Sequence, residues 1–76
     1  MKILDLRGLK CPVPVLKAYK AFKKDRSEKG FIFLTDDPSA PKDFKDFCIN
    51  TGHKIIGIEK KGPYHQIVIE RISSEK

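Results

Sequence analysis

The chain is 76 residues long and carries 16 Lys and Arg against 10 Asp and Glu, for a formal net charge of +6, with two cysteines and two histidines. That length makes one small domain, residues 1–76, which buries only about 60% of its unfolded surface. Two cysteines are too few for the disulfide scaffold of a small secreted domain, and Cys11, Cys48, His53 and His65 lack the close pairing of a zinc site, so neither metal nor cofactor is expected. No apolar stretch nears the ~20 residues of a membrane span. Charge also interrupts Met1-Lys2-Ile3-Leu4-Asp5 before a signal peptide's apolar run forms, so the expected setting is a reducing cytoplasm with both thiols free and no membrane partner. The basic balance favours acidic partners, although solubility alone is the plainer explanation of such a charge.

Residues 2–7 read as a first strand, with Ile3, Leu4 and Leu6 apolar. Arg7-Gly8-Leu9-Lys10-Cys11-Pro12-Val13-Pro14 joins it to a helical pattern from about Pro12 to Arg26. Pro fits the first helical position, where its missing N–H has no intrahelical partner, so Cys11 reads as the N-cap. The inner stripe of this helix is Val15, Ala18, Tyr19 and Phe22. Lysines occupy the other faces; most lysines at helical spacing are simply solvated, and Lys17, Lys20 and Lys24 are the candidates for a docking surface that starts beside Cys11.

Glu28-Lys29-Gly30 closes the helix, and Phe31 to Thr35 is an unbroken β-favouring run, predicted to be a central strand covered on both faces. A second helix begins between Pro38 and Pro41, capped by Asp37 or Ser39, with Ala40, Phe44, Phe47, Cys48 and Thr51 inward, and stops at Gly52. Capping and turn chemistry account for Asp36 and Asp37 more simply than acid–base chemistry does, and Cys48 reads as a buried, inert thiol. Residues 53–60 and 64–72 are strands joined at Lys61-Gly62-Pro63, with His53 and His65 as surface groups in strand positions and residues 72–76 as a polar tail. Most of the seven aromatics sit in apolar runs and read as core, leaving Tyr64 as the one available for base stacking. The order β-α-β-α-β-β predicts a two-layer α/β sandwich, a four-stranded mixed sheet with both helices on one face. Ile56 and Ile58 differ in parity from Ile55, so some isoleucine is expected on the open face.

Cys11 carries the candidate chemistry. A helix start offers unpaired N–H groups and partial positive charge, Arg7 and Lys10 add to it, and no carboxylate lies within five residues of Cys11 along the chain. These conditions lower a thiol pKa and make the sulfur nucleophilic. Val13, between two prolines, keeps an N–H that would point at the sulfur. Gly8 lets the strand turn, and Pro12 and Pro14 fix the first helical turn. No His or carboxylate beside Cys11 in the chain supplies a base, which suits a carrier better than a self-contained enzyme.

Leu4-Asp5-Leu6-Arg7-Gly8-Leu9-Lys10-Cys11-Pro12-Val13-Pro14 resembles the signature of the TusA (SirA- or YedF-like) family of small sulfur carriers. Asp36-Asp37-Pro38 with Asp43 and Phe47-Cys48, and the hairpin at Gly62-Pro63-Tyr64, extend the resemblance over nearly the whole chain. Many members carry Glu where this chain has Val13. The resemblance implies the same sandwich, Cys11 as the residue that takes sulfur as a persulfide, and partners of two kinds. One is a donor of cysteine desulfurase or rhodanese type; the other is an acceptor in tRNA thiolation, cofactor sulfuration or sulfur metabolism. A cysteine-based redox regulator and a basic nucleic-acid-binding module are the alternatives.

Overall fold

The computed structural model describes residues 1–72; residues 73–76 of the expected tail lie outside the described residues. The elements run β1 (Lys2–Asp5), α1 (Val13–Lys24), β2 (Gly30–Thr35), α2 (Ala40–Thr51), β3 (Lys54–Lys61) and β4 (Tyr64–Glu70). They build one four-stranded mixed sheet in the order β1-β2-β4-β3, the architecture expected from the sequence. β1 pairs parallel to β2, and β4 runs antiparallel to both β2 and β3. Each helix therefore crosses between parallel strands, and both crossings step the same way across the sheet. A common handedness puts both helices on one face.

That face is filled by aromatics. Phe31, Phe33 and Thr35 of β2 point toward the helices and are fully buried, as are Ile67 and Ile69 of β4. Ala18 and Phe22 of α1 and Ala40, Phe44, Phe47 and Cys48 of α2 meet them. Phe22 packs edge-on against Phe31, with ring centroids 4.7 Å apart, and Phe33 lies 5.0 Å from Phe44. The unbroken apolar run of β2 is central, but it is not covered on both faces: Ile32 and Leu34 are half-buried on the side without helices. Their neighbours in register are Ile3 and Val68 beside Ile32, and Asp5 and Gln66 beside Leu34.

On the open face, β3 resolves the isoleucine parity. A bulge between Ile55 and Gly57 inserts one residue, so Ile55 and Ile58 both pack against the core while Ile56 is turned out, 53% exposed. Arg71 fastens the far end of the molecule. Its guanidinium donates to the carbonyl of Phe22 in the last turn of α1 and to those of Asp25 and Glu28 in the loop that follows, and lies over the Phe22 ring. His53 is neither in a strand nor a surface group. It precedes β3, half-buried and stacked on Phe22 at 4.3 Å, and its Nδ1 accepts from the Ile72 N–H. Burial first, and then the charge of Arg71, hold its imidazole below the ordinary pKa.

Candidate functional site

Because β1 and β2 are adjacent and parallel, the segments that follow them leave the sheet side by side. The first carries Cys11; the second carries Asp36, Asp37 and Ser39 and leads into α2. Backbone donors of one segment are met by carboxylates of the other. Gly8, at φ +88°, a region that L side chains rarely adopt, turns the chain so that its N–H donates to Asp36. The Cys11 N–H donates to Asp37 Oδ2 at 2.7 Å. Asp37 also accepts from the backbone and hydroxyl of Ser39. It therefore orders the entry to α2 and clamps the cysteine in one arrangement. Ser39 holds the N-cap position of α2 but makes no side-chain cap bond. Partial burial works against ionisation of Asp37, yet the bonds from Ser39 and Cys11, with the charge of Lys10, hold its carboxyl below the usual range.

The sulfur itself faces α2. Cys11 Sγ donates to Asp43 Oδ2 at 2.9 Å, and both line a shallow open hollow of about 200 Å³ with Val15, Tyr19, Asp46 and Asn50. Cys11 is exposed and Cys48 buried, both free thiols.

Several expectations for this residue are overturned. Cys11 is not the N-cap: α1 starts at Val13 with Pro12 in the cap position and no side-chain cap bond. The Val13 N–H closes onto the Lys10 carbonyl at 2.8 Å and not onto the sulfur. With Pro12 and Pro14 lacking N–H groups, the first turn has few donors to give a thiolate. Arg7 does not serve the cysteine either. It forms a two-point ion pair with Asp5, whose carboxyl it holds down at about 2 through hydrogen bonds, and stacks 5.0 Å above the Tyr64 ring. The charge of Lys10 is felt by Asp37. The Cys11 thiol is accordingly raised above its ordinary pKa, not lowered. The Asp43 hydrogen bond is the main cause, with desolvation and the Asp43 and Asp37 charges in the same sense and the nearby Ser39 side chain opposing them.

The carboxylate that the chain neighbours of Cys11 do not supply thus comes from α2. Asp43 lies 32 residues away, and the sequence singled it out only as part of the family resemblance, with no role at the thiol. The parallel pairing of β1 and β2 was the available signal, since it brings the two strand-to-helix turns together. Gly8, Pro12, Val13 and Pro14 all lie in the segment that carries the cysteine into α1, Pro14 being buried and Val13 exposed. Lys17 and Lys24 border a depression between α1 and β1, whereas Lys20 lies on the crest between it and a groove lined by Leu16, Tyr19, Lys23 and Arg26. Tyr64 is half-buried beneath Arg7, and Tyr19, expected in the core, is 41% exposed. Among the described residues no cluster could hold a metal ion, and no helix is long and apolar enough to cross a membrane.

The fold and site define a class: a small open α/β sandwich that presents one exposed, carboxylate-bonded thiol beside the start of its first helix. The family model for sulfurtransferase TusA matches residues 2–71, and the chain belongs to that family. It is 36% identical over 67 residues to a protein of Neisseria meningitidis serogroup A whose name assigns it provisionally to the sulfur carriers, covering 88% of this chain and 90% of the relative. It is 29% identical over 69 residues to the sulfur carrier protein TusA of Buchnera aphidicola, covering 91% and 87%. The crystal structure of a SirA-like protein from Desulfitobacterium hafniense superposes with a TM-score of 0.77 at 25% identity, over 92% of this chain and 96% of that one.

Proposed function

We propose that the protein is a sulfur carrier that accepts sulfur on Cys11 as a persulfide and hands it to an acceptor protein. The observation that carries this reading is the exposed Cys11 thiol, its backbone clamped by Asp37, in a hollow too shallow to enclose a substrate. Exchange at sulfur needs access and a movable proton, not a deep pocket. Membership of the TusA family supports a donor and an acceptor as partners. The donor is a cysteine desulfurase or a rhodanese-type protein, the acceptor belongs to tRNA thiolation, cofactor sulfuration or sulfur metabolism, and the setting is the cytoplasm. Lys17, Lys20 and Lys24 are the docking residues on α1. On this reading the protein is a covalent carrier and not a self-contained enzyme.

The test is to incubate the protein with a cysteine desulfurase and cysteine and to map the adduct by mass spectrometry. A gain of about 32 Da, one sulfur atom, is expected on the peptide containing Cys11 and is lost in Cys11→Ser. An adduct centred on Cys48, or one that survives Cys11→Ser, overturns the assignment.

A further inference from the structure

Resting on the carrier reading above, we propose that Asp43 is the proton acceptor and donor for Cys11 during sulfur loading, a catalytic residue contributed by α2. Its Oδ2 already takes the Sγ–H hydrogen bond at 2.9 Å, so it touches the reacting atom. Of the other acids near the sulfur, Asp46 is paired with Lys42, and Asp37 is occupied by three donors: the N–H groups of Cys11 and Ser39 and the Ser39 hydroxyl. Among the described residues no other hydrogen bond is made to the Asp43 carboxylate, which leaves it lone pairs to receive a proton.

The step balances without an external oxidant. The Sγ lone pair attacks the outer sulfur of a donor persulfide, R–S–SH. The Cys11 Sγ–S bond forms as the donor's S–S bond breaks, and that bond's electron pair leaves on R–S⁻. The Cys11 proton passes to the Asp43 carboxylate and then to R–S⁻, giving Cys11–S–SH and R–SH. Cys11 sulfur is oxidised from thiol to persulfide, and the donor persulfide is reduced to thiol. The same carboxylate that disfavours a free thiolate at rest thereby removes the proton when a sulfur donor is in place.

Other groups facing Cys11 have to be separated from Asp43 in any pH measurement. They are Lys10 in its own loop, Asp37 and Ser39 before α2, Asp46 of α2 and Tyr19 of α1. The experiment uses glutathione persulfide as donor, with loading and iodoacetamide alkylation both followed against pH for the wild type, Asp43→Asn and Asp43→Glu. In Asp43→Asn the alkylation midpoint moves to lower pH, since the carboxylate no longer opposes the thiolate. Its loading near pH 7 nevertheless falls about 100-fold, the usual scale for losing a positioned proton acceptor, and its rate follows the thiolate fraction as pH rises. Asp43→Glu recovers most of the rate. A folded Asp43→Asn that loads as fast as the wild type overturns the proposal and leaves the carrier reading intact. A wild type that takes no sulfur on Cys11 overturns both. If Asp43→Asn does not fold, a wild-type loading rate that merely tracks the thiolate fraction across pH overturns the proposal by itself.

Discussion

The two cysteines carry the same atom in opposite surroundings. Cys48 lies in α2 at 8% exposure within the phenylalanine core, and burial alone pushes its thiol up to about 11. Cys11 is exposed, and its thiol is raised chiefly by one hydrogen bond to Asp43. The directions agree while the causes differ, and the cause decides what each thiol is for. A buried thiol regains reactivity only if the core opens. A thiol held by a carboxylate regains it whenever that carboxylate takes the proton or is engaged by a partner.

The largest expected effect tests this contrast directly. A thiol-specific reagent at pH 8 should modify Cys11 in the native protein at least about 100-fold faster than Cys48, because Cys48 waits for an opening that costs part of the folding free energy. Equal rates would mean that the core around Cys48 is open and the contrast false.

A second experiment unfastens Cys11 without touching its side chain. Asp37→Ala removes the acceptor for the Cys11 and Ser39 N–H groups and should lower Tm by about 5 °C, the scale of losing a cap-like contact in a domain this small. Calorimetry should show that fall together with altered alkylation of Cys11. An unchanged Tm would mean that the two loops hold each other by other means.

Cys48→Ala should cost on the order of 1 kcal/mol in a denaturant titration, as modest core deletions do, and leave sulfur loading per folded molecule unchanged. It should also flatten the alkaline limb of stability. A thiol whose folded pKa is raised to about 11 from 9.0 contributes stability that is present below pH 9 and lost as pH rises toward 11. Loading that falls while stability holds would make Cys48 part of the relay.

The smallest effect is at acid pH. Asp5 is held at about 2 against an ordinary 3.8, so its ion pair with Arg7 contributes stability above pH 4 that is lost as pH falls toward 2. Both side chains are about half exposed, so the contribution is slight. Asp5→Asn should flatten the acid limb of Tm against pH a little and leave Cys11 labelling unchanged. A marked change in labelling would show that Arg7 is released toward the sulfur.

Local pattern determined the element order, the inward stripe of α2, the hairpin, the buried Cys48 and the choice of Cys11 as the candidate thiol. Each follows from periodicity, Gly and Pro placement or burial of apolar groups, which depend on neighbours a few residues apart. The electrostatics of Cys11 did not follow. Within the chain its neighbours are Arg7, Lys10 and a helix start, and they argue for a thiolate. In the fold Arg7 is spent on Asp5, two prolines strip the helix start of donors, and Asp43 arrives from 32 residues away. Hydrogen bonds and charges act through space over a few ångströms, so the sign of the shift was set when β1 and β2 paired and brought their two following loops together.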